Sequence, residues 1–228
     1  MAALVNLALI VVVVAALAGC TNGSAKDGGS VPRDLSGAVT SWQEGRADLV
    51  AEVFDGEDLR PIAHGTLDAA GNVGVWLPEA LEADLLARLA DVLPCRELAA
   101  VPPEARVARL FSLDVVHDGR PRGAIAQASS QEATFPLPSE VGAYRIFRWY
   151  ADRDASVRGT CASTSGGYVY EHRWALDLER GWNIVVETIN ELTESGETRE
   201  TRAAPLPEGT NWYFLDVMMA VELGPTAP

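Results

Sequence analysis

From residue 36 onward, most of the chain falls into short runs in which apolar and polar side chains alternate, the period-two signature of strands with one buried face. In 47–55, Leu49, Ala51 and Val53 share one face while Asp48 and Glu52 share the other. Runs at 36–42, 62–68 and 72–77 read the same way, divided by Gly, Asp and Pro, and after Asp68 either Gly71 or Asn72 supplies a positive φ for a turn. The pattern returns at 107–116, 122–128, 144–150, 156–162, 168–178 and 183–193. It is clearest in 168–178, where Tyr168, Tyr170, His172, Trp174, Leu176 and Leu178 alternate with Val169, Glu171, Arg173, Ala175 and Asp177. The Glu179-Arg180-Gly181 turn predicts a hairpin with 183–193, and Glu194-Ser195-Gly196-Glu197 predicts another reversal, so this half reads as a meander.

One stretch has helical spacing. In 79–93, Leu81, Leu85, Leu89 and Val92 form an apolar stripe; Pro78 suits the first turn, Glu79 and Glu82 the positive end, and Pro94 stops it. The polar side carries Glu82, Asp84 and Asp91 against Arg88, the wrong sign for anionic lipid, so the predicted helix covers a sheet face. The expected fold is mainly β, with antiparallel sheets in a sandwich-like arrangement and one amphipathic helix. Two parts are expected: a small β module plus helix over 36–93 and a β-rich domain over 94–228.

The first residues follow another logic. The stretch 7–20 reads LALIVVVVAALAGC, an apolar core ending in small residues beside a cysteine. Leu17-Ala18-Gly19-Cys20 resembles the lipobox of bacterial lipoprotein precursors. The resemblance implies a cleaved signal peptide over 1–19, lipid on the Cys20 thiol, and a body held to a cell membrane facing the periplasm or exterior. Thr21 does not resemble an inner-membrane retention signal. Residues 1–6 hold no Lys or Arg, and 1–19, interrupted only by Asn6, approach the roughly 20 residues of a membrane span. An uncleaved anchor or a buried hydrophobic element are the competing readings. Residues 20–35, rich in Gly and Ser, read as a flexible linker.

Charge and cysteines narrow the picture further. Eighteen Lys and Arg against thirty-two Asp and Glu give a formal charge of −14, which argues against nucleic acid as a partner, since phosphate binding needs a basic surface. Once Cys20 carries lipid, Cys95 and Cys161 remain, and an oxidising compartment favours a disulfide between them. The stretch 36–78, with its G-x-LDAAGNVGVWLP turn, resembles carboxypeptidase-regulatory-like (transthyretin-like) sandwich modules, which implies a non-catalytic spacer or adhesion role. The layout as a whole is similar to that of uncharacterised bacterial surface lipoproteins.

Catalytic signatures are missing from the sequence. His64, His117 and His172 lack the paired spacing of a zinc site, and there is no HExxH, CxxC, G-x-S-x-G, P-loop or dinucleotide fingerprint, so no metal or cofactor is expected. His172, between Tyr170 and Trp174, reads as a packed, hydrogen-bonded ring. The acidic runs read as solvated faces. The candidate ligand-binding residues are Arg145, Arg148, Trp149 and Tyr150, because arginine beside aromatics stacks on sugars or grips carboxylates and phosphates. The same run also reads as an ordinary strand with alternating faces. The function expected is a membrane-tethered binding or structural module of the cell envelope, its partner a glycan or a protein. The competing reading is a hydrolase of envelope polymers with an unlocated carboxylate pair.

Overall fold

The computed structural model describes residue 31 and residues 33–54, 57–134 and 140–216, so Cys20, the leader and most of the linker lie outside the described residues. The fold is mainly β as the pattern predicts, although the 36–42 run is strand only as far as Ala38 and the 107–116 run splits into two strands. The strands are β1 (Asp34–Ala38), β2 (Ala47–Phe54), β3 (Leu59–Leu67), β4 (Asn72–Trp76), β5 (Ala87–Arg88), β6 (Ala99–Val101), β7 (Arg106–Leu110) and β8 (Leu113–His117). They continue with β9 (Arg120–Ala128), β10 (Tyr144–Ala151), β11 (Ala155–Ser165), β12 (Tyr168–Leu178), β13 (Gly181–Thr193), β14 (Gly196–Ala203) and β15 (Asn211–Asp216). Among the described residues no helix is long and apolar enough to cross a membrane.

Seven strands curl into a barrel. Their order is β1-β4-β3-β2-β8-β9-β15, and a parallel bridge between Val39 and Trp212 joins the last strand to the first. There the Thr40 amide donates to the Trp212 carbonyl at 2.8 Å, and the Trp212 indole donates to the Ser36 carbonyl at 3.1 Å. The inward positions of the alternating runs, including Leu49, Ala51, Val53, Val75, Leu113, Val115 and Ile125, fill the interior. Gly71 takes the expected positive φ, +85°, in the turn before β4, while the Asp68 carboxylate accepts 2.8 Å bonds from the amides of Ala70 and Asn72. A bond from the Asn72 side chain, more than those two amide bonds, holds the Asp68 carboxyl below its ordinary pKa.

The other strands form a sheet in the order β5-β7-β10-β13-β14-β12-β11-β6. One face buries Trp149, Val157, Trp174, Leu176 and Val185. Barrel and sheet are joined where β7 and β8 meet at Phe111 and Ser112. There β7 pairs with β10 and β8 with β9, while β9 and β10 pair with each other only at Arg145↔Ala128 and Ile146↔Gln127. Strand pairing crosses residue 94 as well, since β2 pairs with both β7 and β8.

Two sequence expectations are corrected. The amphipathic helix over 79–93 is replaced by two short 3-10 turns, Ala83–Leu85 and Leu89–Asp91, with β5 between them. Its apolar stripe serves two cores: Leu81 and Leu85 pack on the barrel core, whereas Leu89 and Val92 pack with the sheet core. An extended path reaches both, and β5 gains backbone bonds to β7, which outweighs helix propensity. The β12–β13 hairpin is also overturned. β14 lies between them, antiparallel to β13 and parallel to β12, so the Gly181 turn leads away from its predicted partner.

Candidate functional site

In β10 the alternation of YRIFRWYA divides the candidate residues between two surfaces. Arg148 and Tyr150 project to one face, Arg145 and Trp149 to the other. The patch read as a unit is therefore two pairs with different surroundings.

On the Trp149 side the environment is packed. Trp149 and Trp174 lie with ring centroids 6.3 Å apart in the sheet core. Arg145 pairs with Glu187 at 2.8 Å, and Glu187 also receives Arg199 at 3.2 Å, whose Nε donates to Glu197 at 2.6 Å. Glu187 and Arg199 are both buried. His172 joins this stripe as a packed ring, with Nε2 2.7 Å from the Thr201 hydroxyl and its plane against Trp174. Burial, more than the nearby charges, lowers its pKa and keeps it neutral at pH 7.

On the other side lies a cleft of about 1260 Å³ between β1 and the end of β4, on the barrel, and the β10–β13–β14 part of the sheet. Arg148, Gln127, Tyr150, Trp182 and Asn183 form its buried end; Trp76 and Leu206 stand exposed at its mouth. The positions follow from topology. Gln127 and Arg148 flank the point where β9 and β10 part, and the splayed backbones leave a gap these two side chains fill. Trp182 is turned into the cleft directly after Gly181, where its indole donates to the Pro78 carbonyl at 2.8 Å and its ring meets Tyr150 edge-on. Asn183 is fixed by 2.8 and 2.9 Å bonds from its amide to the carbonyls of Glu179 and Gly181.

Arg148 is the unusual group. It is 8% exposed, its Nη2 donates to the Gln127 amide oxygen at 2.8 Å, and its Nε has no partner. The other inward arginines also each keep one buried nitrogen unpaired, but their charge has other partners. Arg199 has two carboxylates, and Arg109 lies 5.1 to 5.7 Å from the rings of Phe54, Phe111 and Trp149. Among the described residues Arg148 has no carboxylate. Burial alone pulls its guanidinium down to about 10, so it still carries a full charge at pH 7.

This has a cost to stability with a definite sign. Because the folded-state pKa lies below the unfolded one, the charged group is worse off folded; the penalty is complete below pH 10 and fades above it. Arg148→Met is therefore expected to raise the unfolding free energy at pH 7 by about 2 kcal/mol, measured by urea denaturation. An unchanged or lowered stability would mean that the charge is already compensated.

The remaining chemistry lies elsewhere. The Asp114 carboxyl, raised to about 6 by burial and by its hydrogen bond and repulsion with Glu52, is on β8 and does not line the cleft. Among the described residues no group of three or more His, Cys, Asp or Glu is placed to hold a metal ion. Cys95 and Cys161 form the expected disulfide. Sequence reasoning did not find Trp76, Gln127, Trp182 or Asn183, for which no local motif exists; their meeting depends on the barrel-to-sheet junction. No family model, curated protein or solved structure matches the chain.

Proposed function

We propose that this chain is an exported lipoprotein, tethered to a membrane through Cys20, which binds a negatively charged ligand in the cleft beside the barrel. The observation that carries the binding half is the buried, carboxylate-free guanidinium of Arg148 at the inner end of a cleft large enough for a small organic molecule. A protein gains nothing in stability from such a group, so its use is expected in binding. The tethering half is supported by the Leu17-Ala18-Gly19-Cys20 resemblance and agrees with the disulfide, since such bonds persist outside the reducing cytosol. Binding is favoured over hydrolysis because, among the described residues, the one carboxyl raised toward neutrality, Asp114, lies outside the cleft.

Intact-mass measurement of the chain from bacterial membranes tests the tether. The expected result is a mature protein beginning at Cys20 with a lipid-sized increment, absent in Cys20→Ala. Recovery from the cytosol with the leader intact and the thiol unmodified overturns it.

A further inference from the structure

We infer that the ligand is an amphiphile with a single anionic head, a monocarboxylate, bound with its head at Arg148 and its apolar body along the wall formed by Tyr150, Trp182 and Ile184. The inference rests on the binding reading above and names its ligand class.

Head-group charge comes first. A carboxylate accepts hydrogen bonds in the plane of a guanidinium, and Arg148, with Nη2 held by Gln127 and Nε enclosed without a partner, is a buried cation short of acceptors. A polyanion is opposed by the surroundings. Besides Arg148 the lining carries Arg33 and Arg180, but also four carboxylates, Asp34, Glu79, Asp177 and Glu179. Arg33 is already drawn toward Glu79 at 3.9 Å and stacked 5.4 Å from the Trp76 ring. One buried cation among predominantly acidic neighbours suits a ligand bearing one negative charge.

The size and walls of the cleft supply the second part. An inorganic anion or a two-carbon acid would fill a small fraction of about 1260 Å³. The walls between Arg148 and the mouth are largely apolar, with Leu35, Tyr150, Trp182 and Ile184 all buried residues that line the space. At the mouth, Trp76 is 62% exposed and Leu206 42%, two large apolar side chains left in water side by side with the opening. A hydrocarbon or flat body extending from the head covers these surfaces, which an isolated anion leaves wet.

The test compares three probes of one tail length on the purified full chain: dodecanoate, dodecanol and dodecyltrimethylammonium, with acetate as a head without a tail. Binding is read by tryptophan fluorescence and by the shift in melting temperature, on wild type, Arg148→Met and Arg148→Lys. Dodecanoate is expected to bind about tenfold or more tighter than dodecanol, the discrimination of one charge-assisted contact. Arg148→Met should remove that preference by weakening dodecanoate more than dodecanol, and Arg148→Lys should keep most of it. Equal affinity for dodecanoate and dodecanol in wild type overturns the anionic head and leaves the cleft reading standing; this comparison needs no variant to fold. Acetate binding as tightly as dodecanoate overturns the apolar body. Failure of all four probes to perturb fluorescence or melting overturns the amphiphile outright; failure to bind any organic anion in a broader set, chloride-exchanged and screened the same way, would remove the cleft reading as well.

Discussion

Glu187→Ala is expected to lower the unfolding free energy by about 3–5 kcal/mol, the scale on which a buried ion pair fails when one partner is removed. Glu187 is the shared acceptor of a stripe that crosses four neighbouring strands: Arg145 from β10, Arg199 from β14 and, at 4.0 Å, His172 from β12. Without it, Arg199 keeps Glu197 but loses its buried contact, and Arg145 loses its partner. Arg199 already has one buried nitrogen unpaired, so little slack remains in the network. Glu187→Gln preserves shape and one acceptor oxygen and should cost clearly less. Urea denaturation of both variants at pH 7 checks the ordering. A loss below about 1 kcal/mol for Glu187→Ala would show that water enters the stripe readily.

Breaking the Cys95–Cys161 bond has the second large effect. The bond spans 66 residues of sequence, and the loop-closure relation gives about 4 kcal/mol for a loop of this size. Its placement adds a local component. Cys161 stands opposite His172 on the β11–β12 ladder, and Cys95 lies just beyond the segment that replaced the predicted helix. The link holds that segment, with Leu89, Val92, Leu93 and Leu98, over Trp149 and Trp174. In the double variant Cys95→Ala, Cys161→Ala the denaturation midpoint should fall accordingly. Amide exchange should rise first in β6 and the Leu89–Asp91 turn, with the barrel strands β2 and β8 keeping their protection longest. Uniform loss of protection would show that barrel and sheet unfold as one cooperative unit.

Strand content was legible because alternation is a local signal: Leu49, Ala51 and Val53 face inward in β2 as the sequence pattern requires. The helix was misread for an equally physical reason. Leu81, Leu85, Leu89 and Val92 are spaced for one helical face, but spacing cannot say that two separate cores will claim them. The hairpin after Tyr168–Leu178 failed similarly, since turn chemistry at Gly181 fixes a reversal of direction and not which strand comes to lie alongside. Of the four candidate ligand residues, the alternation of β10 already separates Arg148 and Tyr150 from Arg145 and Trp149. What no local pattern contains is Gln127 beside Arg148, or Trp182 beside Tyr150, because those neighbours come from strands far apart in the chain.

The bridge between Val39 and Trp212 has a bearing on the order of events during synthesis. The first described strand finds its second neighbour only when almost the last one has been made, and until then one seam of the barrel stays open. Pairings of such long sequence separation form slowly, since the loop must be closed before any bond rewards it. A shortened chain ending before Asn211 would keep β9 with a bare edge, a template for association with other copies. Closure of that seam thus waits until Trp212 has been made.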